Sequence, residues 1–328
     1  MAKPIVVIGS NCFTGSHIVD ALLTAGHSVI GISRSPEYLP VFLPYAKNDR
    51  SRFTFTQLDI TQQLPGLLKL LDRLKPERII NVAALSEVAL SNDRPVEYFE
   101  TNTLAVVKLV HHLRQTGYVK HYIHISSAEI FGPCDTPLNE EAPFSPSTPY
   151  AASKAAADMF INTMIARFNF PATLIRSTNV YGAHQQLFKI IPRTAIYIRT
   201  GQTLQLHGGG TSMKSFIHIR DVVDGLMKTL DQHALGTFHF SDPSDRTVRQ
   251  VVEMVCQQMN VPFEKVVQVV GERPGQDSRY WLNCSKAHTQ LGWKPQVRFE
   301  DGVRETLQWI DENWNVLRQQ PTDYIHQA

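Results

Sequence analysis

Pro4-Ile5-Val6-Val7-Ile8-Gly9-Ser10-Asn11-Cys12-Phe13-Thr14-Gly15 places a strand, a glycine turn and a helix start end to end near the amino terminus. The apolar, β-branched run up to Ile8 has the character of a strand buried on both faces. Gly9 permits a tight turn, Gly15 lets the following helix approach the strand, and the amides exposed at that helix start suit a pyrophosphate. Asn11, Phe13 and Thr14 complete the turn, and an amphipathic pattern continues to Leu23. The middle glycine of the usual dinucleotide pattern is Cys12, so a side chain stands where backbone would approach the cofactor. The plain alternative is an ordinary strand-turn-helix connection.

Outward from this unit, strand-like runs recur at Ser28–Ile32, Phe53–Leu58, Arg78–Val82, His121–Ile125 and Ala172–Arg176. Helical patterns lie between them, among them Val96–Gln115 and Pro149–Phe168. Such alternation predicts an α/β fold, a doubly wound parallel sheet with helices on both faces. After Gly182 the pattern becomes irregular, with a loop near Gly208–Gly210 and helices at Arg246–Met259 and Phe299–Asn313. We expect residues 1–182, joined by roughly 216–242, to form the dinucleotide-binding domain, and 183–215 with 243–328 to form a smaller substrate lobe. Trp281, Trp293 and Trp309 are expected in the core of that lobe.

A chain of 328 residues with 43% apolar content can bury one large core, or one core and a smaller lobe. Its net charge of +2 and the lack of a Lys/Arg cluster argue against nucleic acid as a partner. No apolar stretch reaches membrane-spanning length and no signal-type segment precedes the first strand, so a cytoplasmic location is expected. The cysteines Cys12, Cys134, Cys256 and Cys284 are far apart and lack metal-type spacing, which points away from disulfides and zinc.

Chemistry concentrates in Pro149-Tyr150-Ala151-Ala152-Ser153-Lys154, where a phenol and an ammonium stand one helical turn apart on one face. A neighbouring cation lowers the pKa of a phenol, whose ordinary value near 10 is too high for base chemistry at neutrality. Such a pair can take a proton from an alcohol. Alone the spacing is common on solvated helices, and its context decides. The other motifs follow strand ends, where ligands of open α/β sheets bind: Asn81-Val82-Ala83-Ala84 and Ser126-Ser127-Ala128-Glu129.

With these segments, and with Asp59-Ile60, Asn102, Asn179-Val180-Tyr181-Gly182 and Arg273-Pro274-Gly275-Gln276-Asp277-Ser278-Arg279-Tyr280, the chain resembles the extended short-chain dehydrogenases/reductases. Within that group it is most similar to the nucleotide-sugar 4,6-dehydratases, the dTDP-glucose and GDP-mannose enzymes. The resemblance runs from the first strand to about Trp309. It implies that Tyr150 takes the proton of a sugar 4-hydroxyl while hydride leaves C4, that Lys154 holds the ribose and keeps Tyr150 ionised, and that Ser127 steadies O4. Glu129 would remove the acidified C5 proton and trigger loss of the 6-hydroxyl. Many dehydratases carry an Asp just before that Glu to protonate the departing oxygen; here the position is Ala128, the GDP-mannose branch also lacks the Asp and has Ser there, and a water held by Ser127, or Glu129 acting twice, would supply the proton.

For the cofactor, the resemblance places Gly9 to Gly15 at the pyrophosphate, Asp59 and Ile60 beside the adenine, Asn81, Ala83 and Ala84 along the adenosine and ribose, and Asn102 nearby. Ser33-Arg34-Ser35 ends the second strand where an acidic residue would grip the free hydroxyls of NAD; a cation flanked by hydroxyls suits a 2′-phosphate, so NADP is expected, with NAD the alternative. The substrate implied is a nucleotide-diphosphate hexose, with Ser86, Asn179, Lys189, Lys214 and Arg273 at positions that contact it and Arg279 a further cation. The helices Val96–Gln115 and Pro149–Phe168 resemble the pair through which relatives form dimers, so a homodimer is expected. Two other readings stay open. A 4-epimerase or 4-ketoreductase would reuse Tyr150, Lys154 and Ser127 without C5 chemistry at Glu129. An idle dinucleotide-binding protein would account for Cys12 and Ala128.

Overall fold

The computed structural model describes residues 3–271 and 279–326. Strands β1 (Ile5–Ile8), β2 (Val29–Ser33), β3 (Phe53–Gln57), β4 (Arg78–Asn81), β5 (His121–Ile125) and β6 (Ala172–Ser177) alternate with helices, as the sequence predicts. They are followed by β7 (Asn179–Tyr181), β8 (Leu204–His207), β9 (Met213–His218), β10 (Gly236–Phe240), β11 (Asp245–Thr247) and β12 (Val267–Val270). Seven strands form one sheet in the order β10-β6-β5-β4-β1-β2-β3. All of its pairings are parallel. Ile8 at the end of β1 lies between Ile32 and Asn81, so the glycine turn leaves the sheet where strand order reverses.

Because successive side chains of a strand point to opposite faces, β1 serves two cores. Ile5 and Val7 meet Ile18 and Leu22 of the helix Phe13–Thr24 and Val222 and Leu226 of the helix Ile219–Asp231. Val6 and Ile8 meet Leu67 and Leu71 of the helix Leu64–Leu74, Leu109 of Ala105–Thr116 and Ile161 of Pro149–Phe168. Each fully buried aliphatic side chain of this kind stabilises by about 1.5–3 kcal/mol relative to exposure. The helix Ile219–Asp231 and β10 return late in the chain to the large sheet.

A three-stranded sheet, β11-β9-β7, and the pair β12-β8 form the smaller part with the helices Ile190–Thr200, Val248–Gln258 and Phe299–Glu312. Its core gathers Tyr181, Ile191, Phe216, Val251, Phe299 and Trp309. Trp293 differs from the expectation. It packs on Phe240 of the large sheet, ring centroids 4.6 Å apart, and its Nε1 donates to the Asp221 carbonyl. Trp281 lies under the guanidinium of Arg279, 3.7 Å from its ring centroid.

Local chemistry explains where helices begin. Thr148 accepts from the Ala151 amide, Pro149 occupies the first turn, and Asn169 ends the helix in a left-handed conformation. The helix expected from Arg246 starts at Val248, because Arg246 belongs to β11 and Thr247 and Gln250 form a capping box. The single helix expected over Val96–Gln115 is Pro95–Phe99 and Ala105–Thr116 joined by a π-helical segment, Glu100–Leu104. That widened turn carries Asn102, whose amide accepts from Leu85 N at 2.8 Å and donates to Leu85 O and Ser153 Oγ at 3.0 Å. Among the described residues no helix is long and apolar enough to cross a membrane, and no three His, Cys, Asp or Glu side chains gather as a metal site would require.

Candidate active site

A cleft of about 1160 Å³ runs between the carboxyl ends of the large sheet and the smaller lobe. The first turns of Pro149–Phe168 put Tyr150 and Lys154 on its wall, and the turn after β5 adds Ser127 and Glu129. Ser127 joins the two sides: its hydroxyl favours ionisation of the Tyr150 phenol, and its Oγ accepts from the Glu129 amide at 3.2 Å. Tyr280 reaches in from the lobe and donates to Glu129 Oε2 at 3.5 Å. Lys214 Nζ lies 4.9 Å above the Tyr280 ring.

The electrostatics of the Tyr-Lys pair differ from the expectation. Burial raises the Tyr150 phenol above its ordinary value, the Glu129 charge raises it further, and the Ser127 hydrogen bond opposes them. The Lys154 ammonium donates to the Ile125 carbonyl at 2.8 Å and stands 3.4 Å from His124 Nε2. Burial lowers its pKa to about 8, with Asp158 opposing. His124 is kept neutral by burial and by the Lys154 charge.

At the glycine turn, backbone packing leaves no room for side chains. A Cβ on Gly9, whose φ is +90°, would fall 2.6 Å from Ala83 N, and one on Gly15 would fall 2.0 Å from Gly9 O. Cys12 turns back as the helix cap: its Sγ accepts from the Gly15 amide at 3.2 Å, and burial pushes its thiol up to about 11. The thiol is thereby spent on the helix start, although Cys12, Phe13 and Thr14 still face the cleft. Asn11 ties the turn to the end of β2 through Ser33 Oγ and the carbonyls of Ser35 and Pro36. Its Oδ1 is buried with no hydrogen-bond partner among the described residues. A cradle that a Cβ would fill, amides at a helix start and an unspent buried acceptor fit a dinucleotide.

The remaining expected residues divide. Ala84, Ser86, Asn179, Lys189 and Lys214 face the cleft. Asn81 is buried and donates to Tyr122 Oη at 3.1 Å, while Asn102 is fully buried in the contacts described above. Burial opposes ionisation of Asp59, yet hydrogen bonds from Thr61 and Gln62 and the charge of Arg34 hold its carboxyl below the usual range. Ile60 belongs to the core with Leu64 and Leu67. Lys189 pairs with Glu87 at 3.3 Å, both on the wall. Arg279 is paired with Asp245 and stacked on Trp281, so it is engaged within the protein. Arg273 lies outside the described residues.

Residues without an assigned role in the sequence also line the cleft, notably Glu87, Arg193, Tyr280 and Tyr324. Tyr280 stands in a segment that carries the resemblance, which was the available signal. Nothing local marks Tyr324, whose ring meets Phe188 at 5.1 Å, or Asp323, which pairs with Arg193 at 2.9 Å.

Comparison with known proteins agrees with this geometry over nearly the full length. The dTDP-D-glucose 4,6-dehydratase of Mus musculus is 28% identical over 324 residues, covering 96% of this chain and 90% of that protein. The Haemophilus influenzae dTDP-glucose 4,6-dehydratase is also 28% identical, covering 93% and 97%. Among solved structures, the Streptomyces venezuelae dTDP-glucose 4,6-dehydratase with NAD bound superposes with a TM-score of 0.87 at 28% identity, covering 95% and 98%. The Thermus thermophilus UDP-glucose 4-epimerase in complex with NAD gives 0.83 at 25% identity, covering 94% and 99%. The family model for GDP-mannose 4,6 dehydratase matches residues 6–306, the span that holds the glycine turn, Ser127, Glu129, Tyr150 and Lys154, and the chain belongs to that family.

Proposed function

We propose that the chain is an NAD(P)-dependent nucleotide-sugar 4,6-dehydratase acting on a nucleotide-diphosphate hexose to give a 4-keto-6-deoxy sugar. One observation carries this reading: Tyr150, Ser127 and Glu129 form a connected line on one cleft wall, beside a glycine turn built for a dinucleotide. Tyr150 takes the 4-hydroxyl proton, Ser127 holds O4 as it becomes a ketone oxygen, and Glu129 removes the C5 proton that the ketone has acidified. Lys154, fixed by Ile125, offers its remaining ammonium protons to the nicotinamide ribose. Bound in its oxidised form, the nicotinamide would supply the hydride acceptor.

Arg34, half-exposed beside Ser33 and Ser35, favours NADP over NAD in this reading. Lys189, Lys214, Asn179, Ser86 and Arg273 are assigned to the substrate, with residues 183–215 and 243–328 as its lobe. A homodimer is supported by apolar side chains exposed along two helical segments, Val96, Phe99 and Leu104 on one and Met159 and Phe168 on the other. We place the protein in the cytoplasm.

Incubation with a panel of nucleotide hexoses, read by mass, tests the assignment. Loss of one water with no net cofactor turnover is expected. An inverted hydroxyl without loss of mass would instead identify a 4-epimerase, the second reading, which the likeness to UDP-glucose 4-epimerase structure favours.

A further inference from the structure

Loss of a 6-hydroxyl requires a proton on the departing oxygen, and Ala128 offers none. Ala128 and Tyr280 lie in one buried cluster with Ala155 and Leu282, so the small side chain at 128 packs in the same cluster as the aromatic ring. Tyr280 Oη sits 3.5 Å from Glu129 Oε2 on the cleft wall. Two phenols therefore flank one carboxylate, Tyr150 on the Ser127 side and Tyr280 on the lobe side. Tyr150, Glu129 and Tyr280 thus line one cleft, and the reaction moves a proton at three places, O4, C5 and O6.

Resting on the dehydratase reading above, we propose that Tyr280 is a catalytic residue, the acid that protonates the departing 6-oxygen. As the C6–O bond breaks, O6 takes the phenol proton and leaves as water. Glu129, having taken the C5 proton, returns it to C5 when hydride is delivered to C6. The Tyr280 phenolate recovers a proton from solvent, into which Tyr150 has released the 4-hydroxyl proton. The sum is one water lost and the cofactor back in its starting oxidation state. Lys214 favours the transient phenolate, because an ammonium over the ring attracts an anion more strongly than a neutral phenol. The backbone that carries Tyr280 is held on both sides of it. Arg279 O accepts from Cys134 N at 3.2 Å, Trp281 N donates to Cys134 Sγ at 3.2 Å, and Ser215 Oγ donates to Tyr280 O at 3.5 Å. Such fixing is what proton transfer demands of a donor.

The test is Tyr280→Phe, assayed on the hexose that the wild-type enzyme dehydrates and on its 6-deoxy-6-fluoro analogue, whose leaving group needs no proton. Dehydration of the natural substrate should fall by about 100-fold or more, the span of general-acid catalysis, while fluoride release falls less than about threefold. With enzyme in excess, the variant should accumulate a sugar lighter by a pair of hydrogens that keeps its 6-oxygen. Equal slowing of both substrates, no slowing of either, or no accumulation of the oxidised sugar overturns the role of Tyr280. Failure of the wild-type enzyme to dehydrate any nucleotide hexose overturns instead the reading on which it rests.

Discussion

Lys154 Nζ is held by the Ile125 carbonyl at 2.8 Å, with His124 Nε2 at 3.4 Å, and so is anchored to the end of β5. Among the described residues no carboxylate is in contact with it; a buried ammonium loses its proton more readily, and its pKa falls to about 8. Below about 8 the site holds a cation, and above it a neutral amine. Affinity for NAD(P), which in our reading uses that cation at the ribose, should therefore weaken as pH rises through about 8. A fluorescence titration of cofactor binding across that range checks it, and a flat affinity would remove Lys154 from the ribose site.

Tyr150→Phe and Glu129→Gln should fail at different steps. The first removes the base for the 4-hydroxyl, and turnover should fall by about 100- to 10,000-fold with cofactor binding retained. The second leaves C4 oxidation possible but blocks C5 deprotonation, so an oxidised sugar that keeps its 6-oxygen accumulates instead of the 4-keto-6-deoxy product. Single-turnover product analysis by mass separates the two. If both variants stop before any oxidation, Glu129 is not the C5 base.

How much of this was legible in the sequence follows from the range of each interaction. The glycine turn and Pro149–Phe168 depend on neighbours a few residues away, and both stand where the pattern put them. The thiol cap of Cys12 is equally local but uses an acceptor rarely met at that position, so the pattern read it as a defect. Trp293 returning to the large sheet, and Tyr280 meeting Glu129 across 151 residues, depend on tertiary packing that no local period encodes. Burial that raises the Tyr150 phenol belongs to the same class: spacing put a cation one turn away, while the fold turned that cation toward β5.

Arg34 separates the two cofactors. In Arg34→Asp the cation that would grip a 2′-phosphate becomes an anion that repels it and accepts from free ribose hydroxyls. One charge-assisted hydrogen bond contributes about 1.5–3 kcal/mol, so NADP affinity should fall by about 10- to 100-fold while NAD affinity rises or holds. Isothermal titration with each cofactor measures both. Equal losses for NADP and NAD would assign Arg34 to adenine stacking.

Stability and catalysis meet at Asp158, one turn beyond Lys154. Arg176 Nε donates to Asp158 Oδ2 at 2.9 Å with both side chains fully buried, and the guanidinium lies about 5 Å from the Phe131 and Phe144 rings. Replacing one partner leaves a buried charge unpaired, which costs about 3–5 kcal/mol, whereas replacing both with apolar residues of similar volume is often near neutral. Arg176→Met should therefore lower the denaturant midpoint sharply, and Arg176→Met with Asp158→Leu should recover most of it. The double variant also loses the carboxylate that opposes deprotonation of Lys154, so its loss of cofactor affinity should begin at lower pH than in the wild type. Restored stability with an unmoved pH profile would mean that the field of Asp158 does not reach the ammonium.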